Sequence, residues 1–164
     1  MGIKNLSKLL QDRAPGCVRV QQLGSYLDRV VAIDASTALY QFLVSVRSQG
    51  ADGSFELLTN EAGEVTSHLQ GLLYRTIRLV EAGIQPVYVF DGKPPEMKSH
   101  ELTKRKERRA QAEQSLKEAK EEDRKDDVAK YESRLVKVTT DHVNDAKRLL
   151  EAMGLPWVQA PCEA

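Results

Sequence analysis

The fold is decided by two apolar runs that each end in an aspartate, Val30-Val31-Ala32-Ile33-Asp34 and Pro86-Val87-Tyr88-Val89-Phe90-Asp91. Continuous apolar runs of this length predict strands that are buried on both faces, as in a parallel sheet. A third and weaker run, Leu155–Val158, leads to Glu163. Each predicted strand is therefore followed by a carboxylate.

Helical patterns lie between the first two strands. One covers Thr37–Val46, and a second has apolar residues at spacings of three and four, namely Leu69, Leu72, Leu73, Ile77 and Val80. Ser67 with Gln70 predicts a capping box at the start of the second helix, and Gly83 predicts its end. The glycine-containing stretch Ser48–Gly63 predicts a surface loop.

A helix, a glycine, a proline and a strand follow one another twice along the chain. Arg78–Gly83 precedes the strand that begins at Pro86, and Arg148–Gly154 precedes the run that begins at Pro156. Two such units predict an α/β fold, in which helices flank a central parallel sheet.

The composition limits the possible classes of protein. A chain of 164 residues suits one domain and can bury a core without disulfides or metals. Its 24 lysines and arginines balance 24 aspartates and glutamates, so no net charge indicates a nucleic-acid partner. The two cysteines are too few for a disulfide framework or a four-ligand zinc site. Because no signal-like core follows Met1 and no apolar run approaches about 20 residues, we expect a soluble, intracellular protein.

Carboxylates at strand ends are the first candidates for chemistry. Asp34 and Asp91 directly follow predicted parallel strands, and ligands of such sheets gather outside the carboxyl ends of the strands. Two carboxylates brought together repel each other unless a positive charge lies between them, and Mg²⁺ prefers oxygen ligands of this kind. Glu163 would add a third ligand. The alternative for each single residue is a turn or a helix cap.

The segment Pro94–Val136 has few large apolar residues, a basic first half and a mostly acidic second half. It can be helical but cannot be core, so we expect a helical excursion that stands off the sheet. The spacing of Lys98, Arg105 and Arg109 places three cations on one helix stripe, which can bind phosphates without reading sequence. The alternative is a solvated helix with i,i+4 ion pairs.

Other residue types give weaker signals. His68, His100 and His142 show no metal-ligand spacing, so surface or capping roles are expected. No nucleophile-elbow, Walker or dinucleotide-binding glycine motif is present. On the helix after Asp34, we expect Phe42 in the core, whereas Tyr40 is available to stack on a base.

Several stretches of the sequence, in the same order along the chain, match the pattern of a known protein family. They are Met1-Gly2-Ile3, Val31-Ala32-Ile33-Asp34-Ala35-Ser36, Tyr40-Gln41-Phe42-Leu43, Thr66-Ser67-His68-Leu69, Tyr74-Arg75-Thr76-Ile77-Arg78, Pro86-Val87-Tyr88-Val89-Phe90-Asp91-Gly92-Lys93-Pro94-Pro95 and Ala160-Pro161-Cys162-Glu163-Ala164. Through these phrases the whole chain resembles the eukaryotic and archaeal flap endonucleases, within the wider XPG-type 5′ nuclease family.

The resemblance implies a PIN-type, Rossmann-like parallel sheet with a protruding helical arch. It also implies a structure-specific 5′-flap endonuclease with 5′ to 3′ exonuclease activity, which hydrolyses DNA phosphodiesters with two Mg²⁺ ions, for which Mn²⁺ can substitute. Such an enzyme would remove flaps from Okazaki fragments in DNA replication and act in base excision repair.

Residue roles follow from the resemblance by position. It implies metal ligation by Asp34, Asp91 and Glu163, and catalytic stabilisation of the scissile phosphate by Lys98 and Arg105. The residues for which it implies contact with DNA are Gly2, Tyr40, Arg47, Arg75, Arg108, Arg109 and Glu163.

The resemblance further implies that residues 1–164 are a truncated N-terminal nuclease domain with the arch at about 94–136. In the family, more carboxylates, an internal nuclease domain and a clamp-binding C-terminal tail follow the position of Ala164. We therefore expect this chain alone to be weakly active or inactive. The implied partners are branched DNA with 5′ flaps and a sliding clamp. No contact with a membrane is implied. The implied protein is a monomer of the nucleolus and nucleoplasm, with mitochondria as a further location.

Two other functions stay open at this point. The chain could be a nonenzymatic branched-DNA-binding module that uses the cationic stripe, or a PIN-type ribonuclease. DNA binding with a steep salt dependence and without Mg²⁺-dependent turnover would favour the first alternative. A preference for RNA would favour the second.

Overall fold

The order of helices and strands alternates along most of the chain. A computed structural model describes residues 3, 5–49, 55–95, 99–121, 127–128, 131 and 135–162. Its helices are α1 (Leu6–Arg13), α2 (Ala35–Ser45), α3 (Ser67–Glu81), α4 (Ser99–Glu121) and α5 (Thr140–Ala152), with 3₁₀ turns at Pro15–Cys17 and Leu23–Tyr26. Its strands are β1 (Val30–Asp34), β2 (Arg47–Gln49), β3 (Phe55–Leu57), β4 (Gln85–Phe90) and β5 (Trp157–Gln159).

A parallel sheet in the order β1-β4-β5 confirms the predicted fold class. β4 lies in the centre, and its alternate residues Pro86, Tyr88 and Phe90 are buried. The prediction that β1 is buried on both faces is wrong for this chain, because β1 alternates between exposed and half-buried residues and Val30 is 66% exposed. β1 pairs only with β4 in the described sheet, so it forms an edge.

Three helices enclose the core above the sheet. α2 packs on α3, α3 packs on α5, and α2 and α3 both contact β4. The core cluster consists of Ala35, Ala38, Leu39, Phe42, Leu72, Tyr88, Phe90, Ala146 and Leu150. Each buried leucine or phenylalanine in this cluster stabilises the fold by about 1.5–3 kcal/mol relative to an exposed side chain.

The buried face of α3 differs from its apolar pattern. His68, Leu72 and Thr76 are buried at intervals of four, whereas Ile77 and Val80 are 37% and 48% exposed. The Thr76 hydroxyl donates to the carbonyl of Leu72 at 2.6 Å and shares a hydrogen bond of 2.7 Å with the Tyr88 hydroxyl. Burial raises the pKa of Tyr88, against smaller opposing effects of Thr76 and Arg75. A satisfied polar pair thus joins α3 to β4.

The observed ends of the helices agree only in part with those predicted from the sequence. Gly83 follows α3 with φ 72°, as expected where a helix ends in a left-handed residue. The predicted capping box of Ser67 and Gln70 is wrong: the N-cap is Thr66, which makes no side-chain capping bond, and the Ser67 hydroxyl accepts from the Leu58 N–H at 2.8 Å. A capping box does occur at α5, between Thr139 and His142.

The described residues of the Ser48–Gly63 stretch include parts of two strands where a loop was predicted. β2 and β3 form an antiparallel pair with Arg47 opposite Leu57, and Thr59 bridges to Val65. Alternation within β2 and β3 is too short to be distinguished from loop sequence, because each strand has three residues.

The segment after β4 contains the predicted helix. α4 extends over 23 residues, and its described side chains are largely exposed apart from Ala119 and a few half-buried neighbours. This agrees with a helix that has no continuous apolar stripe to bury. None of the helices in the described ranges is long and apolar enough to cross a membrane.

Candidate metal and nucleic-acid site

Asp34 lies at the junction of β1 and α2 and caps the helix. Its Oδ1 accepts from the Thr37 N–H at 2.8 Å, and its Oδ2 accepts from the Thr37 hydroxyl at 2.6 Å. The helix-cap alternative is therefore realised for this residue. Each carboxylate oxygen can accept a further bond, and Asp34 is exposed. The cap fixes the direction of a side chain that still faces solvent.

Asp91 follows the last residue of β4 and is also exposed. In the parallel register Asp34 is opposite Val89, so Asp91 lies two residues further along the neighbouring strand. Strand spacing and rise then put the Cα atoms of Asp34 and Asp91 about 8 Å apart. Each carboxylate follows the carboxyl end of its strand, as the sequence predicted, and the structure shows that the two strands are adjacent.

The end of β5 reaches the same edge. The Gly92 N–H donates to the carbonyl of Cys162, and a Cβ at residue 92 would overlap the carbonyl oxygens of Ala160 and Cys162. Only glycine allows this approach of two backbones. Glu163, the predicted third ligand, lies outside the described residues, so its role stays a prediction.

The donor set at this edge suits a hard divalent cation. Asp34 and Asp91 offer oxygen ligands, which Mg²⁺ prefers, and Mg²⁺ is commonly held by one or two carboxylates together with water and substrate phosphate. Within the described ranges, no three His, Cys, Asp or Glu side chains form a group that could hold a metal ion. The oxygen atoms of Asp34 and Asp91 fit an ion such as Mg²⁺.

A cavity of about 310 Å³ lies beside Asp91. Its wall combines hydroxyl groups with apolar side chains from the end of β4 and the starts of α2 and α5: Ser36, Phe90, Val138, Thr139, Thr140 and Val143. The Thr139 hydroxyl accepts from the His142 N–H at 3.3 Å, and the Thr139 N–H donates to His142 Nδ1 at 3.2 Å. The capping box therefore fixes one wall of the cavity.

The predicted cationic stripe is only partly open to a ligand. Arg105 and Arg108 are exposed on α4. Arg109 is half-buried, and its Nη2 donates to the carbonyl of Leu135 at 2.6 Å while its Nε lies 3.5 Å from Glu113. Lys98 lies outside the described residues. Arg109 therefore joins α4 to the main chain at Leu135, a contact that the sequence did not predict.

The remaining predicted DNA contacts are spread over α2 and α3. Tyr40 is 44% exposed on α2, and Phe42 is buried as predicted. Arg75 donates to Gln41 Oε1 at 3.3 Å, and its guanidinium lies 5.7 Å from the centre of the Phe42 ring. Gly2 and the side chain of Arg47 fall outside the described part of the chain. The roles assigned to these residues stay predictions.

His68 contradicts the expectation of a surface or capping histidine. It is fully buried, its ring centre lies 4.5 Å from that of His142, and its Nε2 lies 4.0 Å from Asp145 Oδ2. Neither ring nitrogen has a hydrogen-bond partner. Burial, and then His142, lower the pKa of His68 to about 4, against an opposing effect of Asp145. The sequence signal that could have predicted the burial of His68 is its spacing of four residues from Leu72 and, in turn, from Thr76.

The fold and the site define a class: a parallel α/β domain with carboxylates at adjacent strand ends, followed by a long exposed helix. The model of the XPG N-terminal domain matches residues 1–112. The chain belongs to this family, and the resemblance inferred from its phrases is confirmed.

Relatives agree with this assignment. The chain is 54% identical to flap endonuclease 1 of Nematostella vectensis and 57% identical to flap endonuclease 1 of Glycine max, over 164 residues in each case. Both matches cover 100% of this chain and 42% of the relative. The chain therefore spans less than half the length of these curated relatives.

Solved structures show the same similarity. Flap endonuclease-1 from Methanococcus jannaschii aligns with a TM-score of 0.58 and 40% identity, over 88% of this chain and 45% of that protein. The catalytic core of Rad2 in complex with a DNA substrate aligns with a TM-score of 0.60 and 32% identity, over 94% of this chain and 39% of that core.

Proposed function

We propose that this chain forms the N-terminal part of a structure-specific 5′-flap endonuclease with 5′ to 3′ exonuclease activity. The substrate is branched DNA, and the reaction is Mg²⁺-dependent hydrolysis of a phosphodiester. The strongest support is the register of β1 and β4, which brings Asp34 and Asp91 to one edge of the sheet. The similarity to flap endonucleases across the whole chain supports the choice of substrate.

Each predicted residue has a role in this proposal. Asp34 and Asp91, with Glu163, would hold the metal ions, which supply hydroxide and stabilise charge on the attacking and leaving oxygens when bound. Lys98 and Arg105 would stabilise the scissile phosphate. The residues proposed to position DNA are Gly2, Tyr40, Arg47, Arg75, Arg108 and Arg109.

Biological context belongs to the same proposal. The whole protein would act in DNA replication and repair in the nucleus, as a monomer that also binds a sliding clamp. The basis of this context is the family resemblance of the sequence.

The metal site is tested by removing charge without removing the helix cap. Asparagine caps helices about as well as aspartate, so Asp34→Asn keeps an acceptor for the Thr37 N–H. We expect Asp34→Asn and Asp91→Asn each to weaken Mg²⁺ binding and to reduce flap cleavage by more than about a hundredfold. This loss is larger than the loss of about 10–100-fold that is typical when a residue behind a metal ligand is replaced. Calorimetry on this chain measures binding. Cleavage is measured in a chimera whose remainder comes from the Glycine max relative.

Asp28→Asn is the matched control, because it removes the same charge at the opposite end of β1. Asp28 has φ 60°, a conformation that asparagine also tolerates. This variant should bind Mg²⁺ and cut DNA like the wild type. Full cleavage by the double variant of Asp34 and Asp91 would refute the metal assignment.

A DNA-binding module without turnover is the second candidate. It is favoured by the exposed arginines of α4, Arg105 and Arg108, which can bind phosphates without a metal ion. If the chimera binds flap DNA with a steep salt dependence but shows no Mg²⁺-dependent cutting, this candidate replaces the nuclease.

A further inference from the structure

Gln159 holds the main chain that bears Asp91. Its Nε2 donates to the carbonyl of Asp91 at 2.5 Å and lies 3.4 Å from the carbonyl of Phe90. Gln159 is opposite Phe90 in the β4–β5 ladder, and the Ala160 N–H donates to the Phe90 carbonyl at 2.9 Å. The amide thus extends the pairing of the two strands by one residue, to the position of the proposed metal ligand.

Lys147 fixes the orientation of this amide. Its Nζ donates to Gln159 Oε1 at 2.8 Å. An ammonium group can only donate, so the amide oxygen must face Lys147 and the NH₂ group must face the carbonyls of β4. The usual ambiguity between the two ends of a glutamine amide is therefore removed.

Two aromatic rings hold Lys147 in place. Its Nζ lies 4.3 Å from the centre of the Trp157 ring and 5.1 Å from that of Phe90. These rings meet edge to face at 5.8 Å, and Phe90 is buried. Attraction between the ammonium and the ring faces restricts a side chain that would otherwise be mobile. A chain of contacts therefore leads from α5 through Gln159 to Asp91.

We propose that Lys147 is a positioning residue for the metal site: through Gln159 it fixes the main chain at Asp91 and so determines how tightly the site binds a divalent cation. This inference rests on the proposed function. The predicted change in Mg²⁺ affinity has a distinctive direction. Deleting a nearby positive charge should by itself strengthen cation binding. Loss of positioning should instead weaken it.

The test compares Lys147→Met and Lys147→Arg by calorimetric titration with Mg²⁺ alone. We expect Lys147→Met to weaken Mg²⁺ binding about tenfold or more, as for other outer-sphere partners. Arginine can donate to the same amide and lie over the same rings, so Lys147→Arg should stay close to the wild type. Gln159→Leu changes no charge at an exposed position and should weaken binding as Lys147→Met does.

Arg148→Met is the matched control, since Arg148 is the exposed neighbour of Lys147 on α5. It removes the same charge and should leave Mg²⁺ binding unchanged or slightly tighter. A metal-free readout is the NMR signal of the Gln159 side-chain amide, which should move and exchange faster with water in Lys147→Met.

The outcomes separate the two proposals. If Asp91→Asn abolishes Mg²⁺ binding but folded Lys147→Met binds as well as or better than the wild type, the positioning role is wrong and the metal site stands. If Asp91→Asn does not change Mg²⁺ binding, the proposed function fails. An unchanged Gln159 amide signal in Lys147→Met also overturns the positioning role, whatever the metal data show.

Discussion

Asp34 caps α2 and keeps free lone pairs on both carboxylate oxygens. Thr37 donates to both carboxylate oxygens, which leaves lone pairs on each oxygen for a cation. The hydrogen bonds limit rotation of the carboxylate, so less freedom remains to be lost on binding. At this scale, capping and metal binding are compatible roles.

His68 makes stability depend on pH. Its pKa is about 4 in the folded chain and about 6.5 when exposed. Below pH 6.5 the unfolded chain takes up a proton that the folded chain does not, so stability falls as the pH decreases, until the folded pKa is reached. Between pH 7 and pH 5 we expect a loss of roughly 2 kcal/mol from this residue. Urea unfolding at the two pH values measures it.

The comparison with His68→Leu isolates this effect from other titrations. Leucine cannot be protonated and has no unpaired ring nitrogen, so the variant should lose less stability between the two pH values. His142 and Asp145 face His68 and remain in both proteins. Equal pH dependence of the two chains would contradict the assignment.

Packing between α2 and α3 depends on a glycine. A Cβ at Gly71 would lie 2.5 Å from Cγ and Cδ1 of Phe42, a buried core residue. Alanine in a helix is favoured over glycine by about 0.5–1 kcal/mol. Overpacking costs about 1–3 kcal/mol, so it outweighs the gain. We expect Gly71→Ala to lower the free energy of unfolding by about 1–2 kcal/mol, as measured by chemical denaturation.

Gly24→Ala, in the 3₁₀ turn Leu23–Tyr26, is a control for replacing a glycine where space is open. No atom lies within 4 Å of a Cβ built at Gly24. The substitution should be neutral or slightly stabilising, because it restricts the unfolded chain. A stabilised Gly71→Ala variant would show that Phe42 can move aside.

Over the whole molecule, the described residues before Val31 form an exposed surface rather than part of the core. None of them is buried. The large apolar side chains of this surface are Ile3, Leu6, Leu9, Leu10, Val18, Val20, Leu23, Tyr26, Leu27 and Val30. Apolar side chains that face water favour contacts that remove them from it.

We predict that this chain binds hydrophobic dyes when folded and associates as its concentration rises. Replacing Leu9, Val20 and Leu23 together with lysine should weaken both effects, because apolar area is removed from the surface. Dye fluorescence and sedimentation velocity measure them. The matched control places lysines at Ser7, Gln11 and Gln22, which are exposed and polar. A wild-type chain that stays monomeric and binds no dye would contradict the prediction.

Prediction from the sequence succeeded where local pattern decides structure. The β1 and β4 runs, the C-terminal end of α3 and the burial of Phe42 follow from apolar spacing and turn residues. It failed at His68, at the Ser67 capping box and at β1. A polar residue within a buried stripe is not visible as apolar periodicity, and the burial of a strand depends on what lies beside it.

The sequence by itself determined the parallel α/β fold, the family and the strands that precede Asp34 and Asp91, because these are properties of contiguous residues. Only the tertiary structure decided that Asp34 and Asp91 lie on adjacent strands in a fixed register. It also decided that Arg109 contacts the carbonyl of Leu135 and that Lys147 is linked to Asp91 through Gln159. These contacts join residues far apart in the chain, and packing rather than local sequence selects them.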